Sequence, residues 1–218
     1  VDLSEAAITI TNQISLSQAN TVNNFSTGLI TLDSVKDSFE NLVSIDAINS
    51  TEVTMANAEV QVTDIVDLSK VDELRTNTTG NIIIDKVSDT KEGLAKIESF
   101  KVEDGVAGNV LLSNSDITVT NAVSKSEADV INGYNNSSGT VILSSIVDSL
   151  ENVTSVQNNQ SIDLNNSAIV ISDPVSLSDA NDLKTYTNNL VTLFSVKDTY
   201  NNLTSIDAIS WTEVTMAE

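Results

Sequence analysis

The sequence predicts an α/β fold: a repetitive, solenoid-like stack of strand-helix-strand-helix units on a parallel sheet. Three observations lead there. The chain repeats itself, it carries short β-branched segments in period-two alternation, and amphipathic segments of helical period separate them. Repetition is the strongest signal. Residues 30–57, ITLDSVKDSFENLVSIDAINSTEVTMAN, align with residues 191–218, VTLFSVKDTYNNLTSIDAISWTEVTMAE, at about nineteen of twenty-eight positions. Two weaker copies lie between. The expected units are 1–58, 59–115 with an insertion, 116–167 and 168–218.

Each unit opens on a strand: Ile8 to Thr11, Val60 to Thr63, Ile117 to Thr120 and Ile169 to Ser172. β-Branched residues at every second position suit a strand with one buried face. Asn12, Asp64, Asn121 and Asp173 follow at once and are expected to end the strand and begin a turn. A helix start comes next, with Ser17, Ser69, Ser126 and Ser178 placed to accept an orphan amide. Glu127 and Asp179 suit the helix dipole. Ala19, Val71, Ala128 and Ala180 are expected inward, with Val22, Leu74, Ile131 and Leu183 three residues on. Asn/Ser/Thr/Gly text such as NTTGN and NNSSGT then stops the helix.

A second apolar strand opens the latter half of each unit, at Leu29 to Leu32, Ile82 to Ile84, Val141 to Leu143 and Leu190 to Leu193. SVKDSFENL, KVSDTKEGL, SIVDSLENV and SVKDTYNNL follow. Their recurring Asp37, Asp89, Asp148 and Asp198 are expected as N-caps of a second short helix. Leu42 and Ile45, Leu94 and Ile97, Val153 and Val156, and Leu203 and Ile206 give its inward face. Helical crossovers between strands imply parallel pairing, with about eight strands in all. Lys101 to Ser115 and Ser155 to Ser167 depart from the repeat and are expected as surface insertions.

Composition narrows the function. The chain has 218 residues, 40% hydrophobic but only 4% aromatic, so Val, Ile, Leu and Ala must build its core. With 31 acidic and 10 basic residues the formal charge is −21, which disfavours nucleic acid and anionic lipid as partners. Membrane insertion is not expected, because no apolar run reaches the ~18 residues of a span. The absence of Cys excludes a disulfide framework and a thiolate nucleophile, and the absence of His excludes the usual serine triad. The chain opens on Val1 and reads as a processed product or a piece of something longer.

Units such as ITVTNAVSKSEADVINGYNNSSGTVILSSIVDSLENV and IVISDPVSLSDANDLKTYTNNLVTLFSVKDTYNNL resemble the β-strand repeats of giant secreted bacterial surface proteins. In those proteins, cyanobacterial and proteobacterial, the repeats often stand beside RTX-type calcium-binding segments. The resemblance covers nearly the whole chain. It implies export, an extracellular or cell-surface location and an S-layer-like, filamentous or adhesive role. The paired-glycine RTX nonapeptide is absent, so its calcium chemistry does not carry over.

The candidate sites follow. Asp37, Asp89, Asp148 and Asp198, with neighbours such as Asp33 and Asp85, are candidate calcium ligands, as are Asp64 and Asp67. Capping is the preferred role, since calcium needs six to eight oxygens from a compact loop. Ser34/Lys36 and Ser69/Lys70 could form a Ser–Lys pair, but adjacent repeats lack the Lys. Trp211 replaces Ser50 and Phe194 replaces Asp33 in the matching copy, which marks both as interface candidates. The expectation is a non-enzymatic structural module whose partners are copies of itself or adjacent repeats. The alternatives are an adhesin or ligand-binding module using calcium, and a phage or virion fibre segment.

Overall fold

The computed structural model describes residues 2–44, 53–100 and 109–204, and the main chain of 214–216. Ile45, Ile206 and Trp211 lie outside the described residues. The chain forms two compact units, residues 1–88 with 93–115, and residues 89–92 with 116–218.

The first unit contains β1 (Ile8–Ile10), α1 (Leu16–Asn23), β2 (Ile30–Leu32), β3 (Ser34–Asp37), α2 (Phe39–Val43), β4 (Val53–Thr54) and β5 (Glu59–Val66). A 3-10 turn over Leu68–Lys70 leads into α3 (Val71–Asn77). Then come β6 (Ile82–Asp89), α4 (Lys91–Leu94), α5 (Ile97–Phe100) and β7 (Val110–Leu111), of which Asp89, Lys91 and Glu92 belong to the second unit. The second unit contains β8 (Asp116–Val123), α6 (Lys125–Tyr134), β9 (Val141–Asp148), α7 (Leu150–Gln157) and β10 (Ile162–Asp163). It continues through β11 (Ala168–Val175), α8 (Leu177–Leu183), β12 (Val191–Val196), α9 (Tyr200–Leu203) and β13 (Val214–Met216).

Every ladder described within either unit is parallel, as helical crossovers require. Registers align the apolar positions into rows. Ile8 pairs with Ile30 and Ile30 with Val53. Val60 pairs with Ile82 and Ile82 with Val110. Ile117 pairs with Val141 and Val141 with Ile162. Ile169 pairs with Val191 and Val191 with Val214. Ile30, Val60, Ile82, Ile117, Val141, Ile169 and Val191 are fully buried, which explains why a chain poor in aromatics holds a core. At ~25 cal/mol per Å² of apolar surface, each such side chain contributes about 1.5–3 kcal/mol of transfer free energy.

These rows correct the expected strand count. Each repeat carries a third short strand, and two of those, β7 and β10, fall in the segments expected as insertions. Val110–Leu111 pairs with β6, and Ile162–Asp163 pairs with β9, just as Val53–Thr54 pairs with β2. A two-residue strand in Asn/Ser text shows no alternation, so the period-two signal cannot reveal it.

After the third strand a tight turn carries the chain into the next repeat. The Ala58 N–H donates to Met55 O at 2.9 Å, and Ser115 to Leu112 and Ser167 to Leu164 do the same at 2.9 Å. Leu3–Ala6 makes the equivalent turn ahead of β1, at 3.0 Å. The following loop seals three of these turns. Hydroxyls of Ser26, Thr78 and Thr187 donate to Ala6 O, Ala58 O and Ser167 O at 2.6, 2.6 and 2.7 Å. All three are buried polar residues, and each is satisfied.

The inward helix positions match the expected periodicity. Ala19, Val71, Ala128 and Ala180 are fully buried, as are Leu74 and Leu183, while Ile131 is nearly so and Val22 is half-buried. Leu42, Leu94, Ile97, Val153 and Val156 are buried, and Leu203 is half-buried.

Candidate functional site

The residues singled out by recurrence meet at the helix N-termini. Asp64, Asn121 and Asp173 do not end their strands. They lie inside β5, β8 and β11, where two residues oppose one on the partner strand. This is a bulge, and it re-aims the second of the two side chains. Asp64 Oδ1 accepts the Phe39 N–H at 2.7 Å. Asn121 Oδ1 accepts the Lys91 N–H at 2.8 Å, and Asp173 Oδ1 accepts the Leu150 N–H at 2.8 Å. Phe39, Lys91 and Leu150 each begin a helix (α2, α4 and α7) that precedes the accepting residue by 23 to 30 positions.

The recurring aspartates do the same for the other helices. Asp37, Asp148 and Asp198 Oδ2 accept the N–H groups of Leu16, Lys125 and Leu177 at 3.0, 2.8 and 3.0 Å. Those amides open α1, α6 and α8. The Oδ1 of each aspartate turns to the other side. It accepts the N–H of the next residue, Ser38, Ser149 or Thr199, and the Asn side chain four residues on, Asn41, Asn152 or Asn202, at 2.6–2.9 Å. One carboxylate therefore joins two successive helix starts. Asp89 Oδ1 accepts the Thr90 N–H at 2.7 Å.

Two expectations about caps are corrected. In three repeats the N-cap of the second helix is Ser38, Ser149 or Thr199, one residue after Asp37, Asp148 or Asp198. The aspartate sits ahead of the cap, where one oxygen can reach across to the neighbouring strand step. The first helices are capped by Ser15, Ser124 and Ser176, two residues before Ser17, Ser126 and Ser178. Capping boxes with Gln18, Glu127 and Asp179 close them. The early start places Leu16 and Leu177 in the first turn, where both side chains are buried. In the second repeat Asp67 replaces the serine, and Leu68 behind it is fully buried. Asp67 Oδ1 accepts from the Ser69 N–H at 3.0 Å and from its hydroxyl.

The electrostatics follow from the shortage of cations. With ten Lys and Arg against thirty-one acids, carboxylates find their donors in main-chain amides. Partial burial pushes the Asp148 carboxyl up. Asn152 and the Lys125 and Ser149 amides together outweigh that and hold it below the usual carboxylate range. The Leu177 amide, then Asn202 and the Thr199 amide, hold Asp198 low as well. Lys91 contacts Glu127 at 2.8 Å, which lowers Glu127 and raises the lysine.

The remaining candidates are placed apart from any shared site. Lys36 approaches Asp85 at 3.7 Å, and Asp85 also accepts from Gln61 Nε2 at 2.6 Å. Lys70 stands 5.7 Å over the Phe39 ring. Phe194 is 56% exposed on β12, opposite the Ser172–Asp173 bulge. Among the described residues no group of three or more Asp or Glu is placed to hold a metal. No described helix is long and apolar enough to cross a membrane.

Sequence reasoning missed the role that aspartate plays between strand steps. The signal available was the Asn four residues on, in the recurring D-[ST]-x-x-N of three repeats. No protein-family model matches the chain, and no curated protein and no solved structure matches it.

Proposed function

We propose that this chain is a non-enzymatic structural module: a solenoid-like stack of repeats that serves assembly in a secreted cell-surface protein. One observation carries the reading. Asn121 makes the same contact as Asp64 and Asp173, so the position needs an oxygen acceptor and not a charge. The recurring polar residues are thus accounted for by capping successive steps, at about 0.5–2 kcal/mol per cap. The Ser–Lys candidates support no nucleophile either, since Lys36 turns to Asp85 and Lys70 to Phe39. A stack of this kind buries each repeat on its neighbours, so its natural partners are further copies of the repeat. Location outside the cell rests on the resemblance to giant surface proteins and on the acidic, Cys-free composition.

Sedimentation and electron microscopy of the purified chain over a concentration series, with calcium and with chelator, test this. Ordered assemblies in both conditions support the reading. A monodisperse chain at every concentration contradicts it. Assembly only with millimolar calcium would return the aspartates to the role of ligands.

A further inference from the structure

We infer that the outer sheet face of the second unit, centred on Val147 and Val170 and edged by Phe194, receives the same face of a second copy of this chain about a two-fold axis. This rests on the assembly reading above and names a lateral contact for it.

The carrying observation is a change of character at four positions of the repeat at once. In the first unit they hold Gln13, Lys36, Gln61 and Asp85, and these side chains satisfy one another across the strands. Gln13 Nε2 donates to Gln61 Oε1 at 3.2 Å, and Gln61 Nε2 donates to Asp85 Oδ1 at 2.6 Å. Lys36 Nζ stands 3.7 Å from Asp85 Oδ2. In the second unit the same positions hold Ala122, Val147, Val170 and Phe194. The register beneath is the same, since Lys36 pairs with Gln61 and Val147 with Val170. A polar cluster in one unit is an apolar cluster in the other.

The apolar cluster stands in water. Phe194 is 56% exposed, Val147 39% and Ile142, on the same strand as Val147, 36%. The outward direction belongs to the repeat itself. Asp33 and Ser144 hold the place of Phe194 in the first and third repeats, with β5 and β11 following them, and both are exposed. Positions that satisfy themselves by hydrogen bonds in one unit and turn apolar together in the other mark a surface that a partner covers.

Charge selects the partner. At −21, two copies repel over most approaches. The four residues carry no charge, and neither do their outward neighbours Ser144, Ser172 and Thr192. Asp148 and Asp173 turn their oxygens to helix amides. Shape suits a two-fold contact, in which one patch meets itself. At one end Ala122 leaves open the space that Gln13 fills in the first unit, and at the other Phe194 projects. An axis lying in the interface and passing between Val147 and Val170 sets β8, β9, β11 and β12 against the same strands in reverse order. Phe194 of each copy then meets Ala122 of the other, and Val147 meets Val170. Four strands at ~4.8 Å and eight residues at ~3.3 Å give a face of roughly 500 Å² and about 1,000 Å² for the pair, at the low end of specific interfaces, so the dimer is weak.

The test is sedimentation equilibrium over a concentration series at low and high salt, with folding of every variant checked by circular dichroism. The wild type should associate, more tightly at high salt, which screens the charge. Val147→Lys, Val170→Gln and Phe194→Asp together install residues that already stand side by side in the first unit, so the variant should fold. Its association should weaken by about tenfold or more. Phe194→Ser alone, which takes the residue of the third repeat, should act in the same direction and serves if the triple exchange folds poorly. Val130→Lys, at an exposed position of α6, should change nothing. The chain has no Cys, so Val147→Cys and Val170→Cys chains, mixed and oxidised, should link to each other more than either links to itself. Wild-type association that neither the triple exchange nor Phe194→Ser weakens, that Val130→Lys weakens equally, or that gives no mixed link overturns this interface and leaves the assembly reading standing. A wild type that stays monomeric at every concentration and salt overturns both.

Discussion

Asp148 Oδ2 accepts the main-chain N–H of Lys125, 23 residues earlier in the chain, at 2.8 Å. The other oxygen of the same carboxylate holds Ser149 and Asn152. A single side chain thereby fixes the start of α6 and the approach to α7. Removing it should leave two helix ends short of acceptors. Asp148→Ala should cost about 1–3 kcal/mol in denaturant unfolding, the range of one to two caps. Asp148→Asn keeps one acceptor oxygen and should cost less. Equal losses for the two variants would contradict the shared-cap account.

Acid should act through the same groups. The Asp148 and Asp198 carboxyls lie below their ordinary value in the folded chain. A depressed folded value contributes stability above the unfolded value of about 3.9, and that contribution disappears as pH falls through the folded one. Stability should therefore drop below about pH 4, and Asp148→Asn should flatten the drop. Unfolding followed from pH 7 to pH 2 checks this. A loss concentrated between pH 7 and pH 5 would point to other groups.

Two glycines should respond in opposite directions. A Cβ on Gly80 would stand 2.0 Å from Ala58 O, so the backbone must move, and Gly80→Ala should be strongly destabilising. A Cβ on Gly133 in α6 meets nothing within 4 Å, and Gly133→Ala should stabilise by up to about 1 kcal/mol. Melting temperatures of the two variants decide the matter by sign.

Thr78 is 2% exposed, and its hydroxyl donates to Ala58 O at 2.6 Å while accepting the Gly80 N–H at 2.9 Å. Thr78→Val keeps the shape and strands both partners. A loss of about 1–3 kcal/mol is expected in denaturant titrations, and Thr78→Ser should restore most of it.

The rows of Val and Ile and the buried Ala19, Val71, Ala128 and Ala180 were readable in the sequence because burial on one face leaves a period. The caps were misplaced by one or two residues because the sequence does not say which apolar residue closes the core. Burial of Leu16 and Leu177 starts those helices early. The third strands were hidden because two residues carry no alternation. The bond from Asp148 to Lys125 could not be read from spacing, since it joins residues brought together only by the parallel register. What the repeat did expose was the recurrence of aspartate, and the structure gives that recurrence a mechanical reason.

Amide hydrogen exchange at Lys125, measured by NMR on the wild type, Asp148→Ala and Asp148→Asn, with and without calcium, tests the capping account most directly. The account predicts protection at Lys125 in the wild type. Protection should be lost in Asp148→Ala, largely kept in Asp148→Asn, and indifferent to calcium, while Leu150 and Leu177 stay protected throughout. An unprotected Lys125 in the wild type, or protection that appears only with calcium, would contradict it.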